Sequence, residues 1–231
     1  MSEIWYEEEL FPSDDWLEQA HNTKSPFDPQ EPPRGNIRVH TPIERVIGTS
    51  EKLSFRRPEH IYVFVKLGCE FDPGEAARAA KFGYVSAIFK VHCEGEGELQ
   101  PRVQDIFPEV INKGKPDNVK LKFEPAITFV SGTGGSLGGI ERDYAVGQVA
   151  PVVTGFKGGE EHAPYWNLEH HREAPLYGLR NFWILLEIPP KLSVCHLIPY
   201  ADGTMQARFG PIPLKPKVQQ TAHRPRYTIR L

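Results

Sequence analysis

The stretch GLRNFWILLEIPP, residues 178–190, decides the fold class of this chain. Four of its apolar residues alternate with a period of two: Phe182, Ile184, Leu186 and Ile188. This period is typical of a β-strand, because successive side chains of a strand point to opposite faces. Trp183 and Leu185 occupy the other face, so we predict a strand that is covered on both sides. Pro189 then ends the run, because proline cannot donate a hydrogen bond to a neighbouring strand.

The same alternation recurs from Ile37 onward. Three further strands are marked by apolar residues two positions apart: Ile61, Val63, Val65 and Leu67; Val85, Ala87, Phe89 and Val91; and Val119, Leu121 and Phe123. Tyr227, Ile229 and Leu231 alternate at the end of the sequence, which predicts a paired strand there. The prolines of GPIPLKP, residues 210–216, are expected at a sheet edge or in a connection.

Helix signals are few. One short helix is predicted near residues 73–81, where Asp72 is a candidate N-cap and Pro73 suits the first helical position. Another can begin after Ser13 and run to about His21. No strand–helix alternation recurs, which argues against a doubly wound parallel sheet. The sequence therefore predicts an all-β fold, mainly an antiparallel β-sandwich or a distorted barrel.

The first 35 residues differ in composition from the rest. No lysine or arginine precedes Lys24, and the acidic residues of this segment are interleaved with aromatic ones such as Trp5, Tyr6 and Trp16. Such a segment is either a disordered recognition arm or a tail that docks onto its own domain. Both remain open, since exposed tryptophans are costly to leave in water. We predict an N-terminal arm over residues 1–35 and a single β-domain over residues 36–231.

Composition and charge exclude several classes of protein. The formal net charge is −3, without a clustered basic face, so we expect no nucleic-acid partner. No run approaches the roughly 18 apolar residues that cross a bilayer, so we expect no membrane partner. The N-terminus lacks the features of a signal peptide. Cys69, Cys93 and Cys195 fit buried free thiols in a reducing compartment, so the expected location is the cytoplasm.

Residues 131–139, SGTGGSLGG, form a glycine-dense run. A phosphate-binding loop would end in Gly-Lys-Ser/Thr, but Glu141 stands where the lysine belongs. We therefore predict a connection between strands. In the functional alternative, this loop covers a ligand site through Gly134 and Gly135.

Residues 160–173 concentrate acidic and imidazole groups. Three of them can transfer protons near neutral pH and form a candidate catalytic set: Glu169, His170 and His171. Three aromatic residues are candidates for lining an adjoining pocket: Tyr165, Trp166 and Trp183. The structural alternative is an exposed polar loop between strands.

Metal and nucleophilic chemistry find little support in the sequence. The dipeptides at 92–93 and 195–196 each pair a histidine with a cysteine. On a strand, each could direct only one ligand to a given zinc ion, because neighbouring side chains point to opposite faces. Cys69, Cys93 and Cys195 lack neighbours that would lower the pKa of a thiol. We expect neither a metal nor a cofactor.

Several features follow one another between Val119 and Pro190: a strand at 121–129, Ser136-Leu137-Gly138-Gly139, a strand at 144–153, Trp166-Asn167-Leu168 and a glycine-led strand at 178–188. In this order they resemble a group of uncharacterised fungal intracellular proteins. Those proteins tend to carry Glu-Asn where this chain has His170-His171. The resemblance implies an all-β cytosolic domain and carries no activity.

Two functions remain open. The first is a non-catalytic interaction module that uses the N-terminal arm or the glycine-rich loop to bind a protein partner or a small apolar ligand, as a monomer or a homo-oligomer. The alternative is a cofactor-independent isomerase, cyclase or hydrolase with its acid–base residues beside an inter-sheet pocket. We favour the first, because the sequence demands no catalytic geometry.

Overall fold

The chain folds into one antiparallel sheet of twelve strands, with a single described helix. The computed structural model describes residues 3–22, 34–47, 56–74, 83–107, 110–111, 152–157, 163–170, 176–207, 210–216 and 224–231. The elements in chain order are β1 (Ile4–Pro12), α1 (Asp14–Asn22), β2 (Gly35–Ile47), β3 (Ile61–Asp72), β4 (Gly83–Glu94), β5 (Arg102–Phe107), β6 (Val110–Ile111), β7 (Val152–Phe156), β8 (Tyr165–Glu169), β9 (Gly178–Ile188), β10 (Val194–Ala207), β11 (Gly210–Pro216) and β12 (Tyr227–Arg230).

The strand order makes the sheet nearly close on itself. Neighbouring strands run β5-β9-β3-β2-β1-β11-β10-β4-β8-β7-β6, and β12 pairs with β10 beside β11. β5 and β6 lie at opposite ends of this order, yet only two residues separate them in the chain. A salt bridge of 3.0 Å between Lys157, which follows β7, and Asp105 of β5 joins the two ends. The predicted all-β class is confirmed, and the shape is that of a distorted barrel.

The apolar alternation places two clusters on opposite faces of β9. Phe182, Ile184, Leu186 and Ile188 lie in the main core. On the other face, Trp183 and Leu185 pack with Ile47, Tyr62 and Phe64 in a second cluster. The predicted burial of β9 on both faces is therefore confirmed.

The ring of Tyr84 fits between two glycines of the main core. A Cβ atom on Gly203 would lie 2.8 Å from two ring carbons of Tyr84, and one on Gly35 would lie 2.0 Å from its hydroxyl oxygen. Phe71 meets the same ring edge-on, at 5.9 Å between centroids. Glycine is therefore required at both positions to leave room for the tyrosine.

The N-terminal segment belongs to the sheet rather than to its periphery. Ile4–Pro12 form β1 between β2 and β11, so of the two expectations for this segment, docking is the one observed here. α1 starts after Ser13, whose hydroxyl oxygen accepts a hydrogen bond from the amide of Trp16 at 3.4 Å. The helix expected there is confirmed.

Two other strand expectations have clear outcomes. β12 pairs with β10, as predicted for the C-terminal residues. The expected edge position of residues 210–216 was wrong, because β11 lies between β10 and β1. The carbonyl of Pro213 accepts a hydrogen bond from the amide of Ser13, just beyond β1, so it points away from β10. The nitrogen of a strand residue points to the same side as its carbonyl, so Pro213 removes no donor from the ladder with β10 and is tolerated there.

Some expectations fall on residues outside those described. They are the helix body after Gly74, the strand at Val119–Phe123, the glycine-rich run and the strand at 144–153. At the expected N-cap, Asp72 accepts a hydrogen bond from the amide of Gly74 at 2.8 Å.

Candidate functional site

Alternate residues of strand β8 point to opposite faces of the sheet, which separates the predicted site residues. Tyr165, Asn167 and Glu169 point outward, whereas Trp166 and Leu168 are fully buried in the main core. Trp166 packs against Phe182 at 4.7 Å and Phe89 at 5.9 Å between ring centroids. Its side chain thus fills the interior and lies on the opposite face from Tyr165.

Trp183 belongs to the second cluster and not to the surroundings of Trp166. Its ring meets Phe107 edge-on at 5.5 Å, and the Lys66 ammonium lies 6.0 Å from its centroid. The structure therefore does not bring the two predicted tryptophans to one pocket. Gly134, Gly135 and His171 lie outside the described residues.

Of the predicted acid–base residues, Glu169 and His170 are exposed at the end of β8. His170 donates its backbone amide to the carbonyl of Val85 at 2.8 Å. Its ring nitrogen Nδ1 accepts from the amide of Leu176 at 3.4 Å. Glu169 and His170 are neighbours in sequence, but neither meets Trp166 or Trp183 in the clusters above. Their catalytic role stays a prediction.

A row of aromatic and cationic side chains crosses four strands on the outer surface. Phe156 of β7 is opposite Tyr165 of β8, Tyr165 is opposite Lys90 of β4, and Lys90 is opposite Tyr200 of β10. The rings of Phe156 and Tyr165 stack at 4.7 Å with an angle of 18°. We call this surface the outer patch; with the adjacent row it comprises Ile88, Lys90, Phe156, Tyr165, Asn167 and Tyr200.

The outer patch combines exposed apolar area with hydrogen-bonding groups. Phe156 is 41% exposed and Ile88 is 37% exposed. Asn167 lies directly opposite Ile88 and supplies an amide beside the rings. Such a mixture of aromatic, aliphatic and polar groups is typical of a protein-contact surface.

A buried arginine supports one end of the outer patch. The guanidinium of Arg224 lies 4.6 Å from the ring centroid of Tyr200 and donates to the carbonyl of Pro199 at 3.3 Å. It also pairs with the Glu8 carboxylate of β1 at 3.1 Å. These contacts connect the start and the end of the described chain beside β10.

Burial governs the electrostatics of this region. Burial, and second the neighbouring Asp202 carboxylate, raises the pKa of the Tyr200 phenol to about 12. Tyr200 donates a hydrogen bond to Asp202 at 3.1 Å. Burial also raises the pKa of Glu8, against the opposing effect of Arg224.

Sequence reasoning missed a polar cluster around Glu187. This carboxylate is only 2% exposed and contacts His60 Nδ1, the side-chain amide of Gln104 and, at 3.5 Å, Arg57 Nε. The cluster connects β9 with β5 and with the residues that precede β3. A signal was present, because Glu187 is the one charge within the apolar run of β9, and buried charges require partners.

The thiols offer no reactive group in this structure. Cys69, Cys93 and Cys195 are free and buried. Burial raises the pKa of all three, to about 12 for Cys195, which disfavours the nucleophilic thiolate. Within the described part of the chain, no group of three or more His, Cys, Asp or Glu side chains could hold a metal ion.

Among the described residues, none of the helices is both long and apolar enough to span a membrane.

Comparison with known proteins identifies no family. No family model matches the chain, and no curated protein matches it. Solved structures with some similarity include a pore-forming protein, with a TM-score of 0.34 and 6% identity over 84% of this chain and 90% of that chain. The Clostridium perfringens delta-toxin gives a TM-score of 0.34 and 8% identity over 85% of this chain and 83% of that chain. The membrane-inserted form of the Clostridium perfringens NetB toxin gives a TM-score of 0.30 and 7% identity over 88% of this chain and 87% of that chain. Similarity at this level does not establish a shared function.

Proposed function

We propose that the protein is a non-catalytic binding protein that contacts a protein partner through the outer patch. The observation that supports this proposal is the stacked pair of Phe156 and Tyr165, at 4.7 Å, on the solvent side of β7 and β8. Phe156 keeps 41% of its surface exposed, although the main core buries most large apolar side chains. An aromatic pair held rigidly at the surface is a suitable anchor for a partner.

The strands fix this pair before any partner arrives. Tyr165 is held between β4 and β7 by the register of two antiparallel ladders. Since both rings already stack on each other, little side-chain entropy is lost when they are covered. Lys90 and Asn167 then supply a polar rim.

The proposal moves the binding role away from the N-terminal arm. β1 pairs with β2 from Ile4 to Leu10 and with β11 from Leu10 to Pro12, so the strand is paired along its whole length. Its exposed carboxylates are also engaged, since Glu7 pairs with Arg38 at 2.9 Å and Glu9 with Arg34 at 3.0 Å. A strand so placed cannot serve as a free arm.

The enzyme hypothesis gains no comparable support. Two of its proposed proton donors, Glu169 and His170, lie at the exposed end of β8, and its proposed pocket residues lie on opposite faces of the sheet. A measured turnover that depends on His170 would revive this hypothesis.

We further propose a cytoplasmic location, which three free cysteines support, because reducing compartments keep thiols unpaired. The partner is a different protein or a second copy of the chain. Sedimentation equilibrium of the purified protein distinguishes these cases, because only self-association changes the mass with protein concentration.

The proposed function is tested by site-specific photo-crosslinking. A photoreactive phenylalanine analogue replaces Phe156 in the host, and the same analogue replaces Tyr177 as a matched control. Tyr177 is 59% exposed and lies outside the outer patch. We expect one partner to crosslink from position 156 and not from position 177.

The affinity of the captured partner provides the second readout. Phe156→Ala and Tyr165→Ala should each weaken binding about tenfold or more, as expected of anchor residues. Tyr177→Ala should leave the affinity unchanged. Equal capture from both positions, or unchanged affinity of the Phe156 variant, would contradict the proposal.

A further inference from the structure

A second polar surface, separate from the outer patch, is built around Glu187 of β9. His60 Nδ1 and Arg57 Nε both contact the same oxygen of this carboxylate, Oε1. Gln104 of β5 donates to the other oxygen, Oε2. Because a carboxylate only accepts hydrogen bonds, Nδ1 is the ring nitrogen of His60 that carries the proton. The Arg57 and His60 side chains are therefore neighbours that share one anchor.

The turn from Arg57 to His60 fixes both of these side chains. Pro58 occupies its first central position, and Glu59 has the left-handed φ of 66° that a type II turn requires at the second. The amide of His60 closes the turn on the carbonyl of Arg57 at 3.4 Å. The amide of Arg57 donates to the hydroxyl of buried Tyr62 at 2.9 Å. Since the backbone is already held, little entropy is lost when a ligand binds to this turn.

Glu187 engages only one part of each donor. Arg57 contacts it through Nε at 3.5 Å, so its two Nη groups extend beyond the anchor, and its side chain is 55% exposed. His60 contacts it through Nδ1, so Nε2 lies on the other side of the ring. Within the described part of the chain, no hydrogen bond or ion pair engages these outer nitrogens. The buried carboxylate thus directs two donor groups away from itself.

Arg102 adds a third donor from β5. It is directly opposite Glu187 in the antiparallel pairing of β5 with β9, so the two side chains project from the same face of the sheet. Arg102 is exposed. The guanidinium of Arg56 lies 5.5 Å from the ring centroid of Tyr62 and adds positive charge beside the turn. Three arginines therefore outnumber Glu59 and Glu187 on this surface, which favours an anionic ligand.

The number of donors indicates a phosphate group rather than a carboxylate. A phosphate carries up to two negative charges and three strong acceptor oxygens, whereas a carboxylate has two oxygens. Paired N–H groups of an arginine match two phosphate oxygens. The imidazole Nε2 of His60 can donate to a phosphate oxygen when it is protonated, or accept from a P–OH group when it is not.

We propose that Arg57, His60 and Arg102 form a binding site for a phosphate group, carried by a free phosphate ester or by a phosphorylated side chain. Arg57 binds two phosphate oxygens through its Nη groups, His60 contacts the third through Nε2, and Arg102 balances the second charge. Glu187 is a positioning residue, because it holds Arg57 and His60 without touching the ligand. This site shares no residue with the outer patch and does not depend on the proposed function.

The test is a titration of the ¹⁵N-labelled full chain with inorganic phosphate, followed by NMR at an ionic strength held constant with sodium chloride. We expect saturable shifts of the backbone amides of Arg57, His60 and Arg102. The amides of Phe156 and Tyr165 in the outer patch should not shift. Sodium chloride alone should give no saturable shift at the three site residues.

Arg57→Lys separates a shaped site from an unspecific positive charge. The lysine keeps the charge but loses both the contact of Nε with Glu187 and the paired Nη groups, so phosphate affinity should fall about fivefold or more. Arg34→Lys is the matched control, because the Arg34 side chain is 52% exposed and pairs with Glu9 far from the site. Its phosphate affinity should equal that of the wild type.

Glu187→Gln separates positioning from charge. This variant makes the surface more positive, so unspecific attraction predicts tighter phosphate binding. Loss of the anchor that holds Arg57 and His60 predicts weaker binding, which is the result we expect. The amide spectrum shows whether the variant folds. If it does not, the comparison of Arg57→Lys with Arg34→Lys decides, since both of these side chains are exposed.

A pentapeptide with one phosphoserine among glycines distinguishes the two sources of the phosphate. Tighter binding of this peptide than of inorganic phosphate, with no binding of its unphosphorylated form, assigns the site to a phosphorylated side chain. Equal affinity for both assigns it to a free phosphate ester.

Three outcomes would overturn the inference. They are an absence of saturable shifts with phosphate, equal affinity of Arg57→Lys and the wild type, and tighter binding by a folded Glu187→Gln variant. Phe156→Ala should leave the phosphate affinity unchanged, so failure of this site and failure of the outer patch are distinguishable.

Discussion

At the scale of the residue, Tyr84 sets the tightest packing condition in the main core. Its ring occupies space that only glycine leaves free at positions 35 and 203. Its hydroxyl is buried and has no hydrogen-bond partner among the described residues. Burial, and second the nearby Cys69, raises the pKa of this phenol. The ring and the hydroxyl therefore make opposite contributions to stability, and two variants separate them.

Removing the hydroxyl should stabilise the protein. In Tyr84→Phe the ring contacts remain, while an unsatisfied buried polar group is removed, so the free energy of unfolding should rise by about 1 kcal/mol. Urea unfolding of the variant and the wild type measures the difference. A loss of stability would show that the hydroxyl has a partner that stabilises the native state.

Filling the space beside the ring should destabilise the protein. In Gly203→Ala the new methyl group meets Tyr84 ring carbons at 2.8 Å, and a rigid ring cannot yield as a flexible chain end can. We expect a loss of about 1–3 kcal/mol, as for overpacked cores. Gly83→Ala is the matched control, because a Cβ there meets nothing within 4 Å. Equal melting temperatures of the two variants would contradict this packing.

Residue-level roles could be predicted from the sequence only in part. The alternation around Phe182 correctly separates the two faces of β9. The same rule, applied to Tyr165 and Trp166, places consecutive residues on opposite faces, so they cannot line one pocket from a single strand. Glu187 needed partners distant in sequence, and no local pattern identifies His60 or Gln104 as those partners.

At the scale of the element, β1 shows how a polar segment becomes part of a sheet. Its outward carboxylates pair with arginines of β2, and its Leu10 is fully buried in the main core. Glu8 is opposite Ile37 on the core side and pairs with the buried Arg224. The acidic and aromatic composition that suggested an arm thus has partners throughout the strand.

The sequence could not reveal those partners, because they are long-range. Arg224 is separated from Glu8 by 216 positions, and composition alone describes the segment without them. The prolines of β11 misled for a similar reason. Whether a proline breaks a ladder depends on where the neighbouring strand ends, and here β1 ends at Pro12.

Breaking the buried pair should weaken β1. In Glu8→Gln, Arg224 loses its carboxylate but keeps the carbonyl of Pro199, so we expect a loss of about 2–3 kcal/mol, somewhat below that of a fully isolated buried charge. Glu9→Gln on the same strand is the control. Its salt bridge with Arg34 is exposed, and its loss should cost less than about 0.5 kcal/mol. Similar losses in both variants, measured by urea unfolding, would contradict the assignment.

At the scale of the whole molecule, one sheet unites the two ends of the described chain. β1 and β12 meet through the rings of Trp5 and Tyr227. The two ends of the strand order, β5 and β6, are brought together by the short connection between them and by the salt bridge of Lys157 with Asp105. The sequence predicted strands and their faces but not this order, since alternation does not indicate which strands are neighbours. The near closure follows from pairing over long sequence distances.

The half-buried phenol of Tyr200 should make the fold sensitive to alkaline pH. The pKa of Tyr200 is raised to about 12, whereas a phenol in the unfolded chain ionises near pH 10. Between these values the unfolded state releases a proton that the folded state retains, so the free energy of unfolding falls as pH rises. This contribution is fully present below about pH 10 and is lost by pH 12. Tyr200→Phe should make the decline shallower; an equally steep decline would contradict the shift.

The most direct measurement of the central claim is the hydrogen exchange of β1. A sheet that includes β1 beside β2 should slow those amides of Tyr6–Leu10 that bond to β2 by about a thousandfold or more relative to an unstructured peptide. Exchange of Tyr6–Leu10 at the rate of an unstructured peptide, with β3 still protected, would contradict the claim that the N-terminal segment is an integral strand of the barrel.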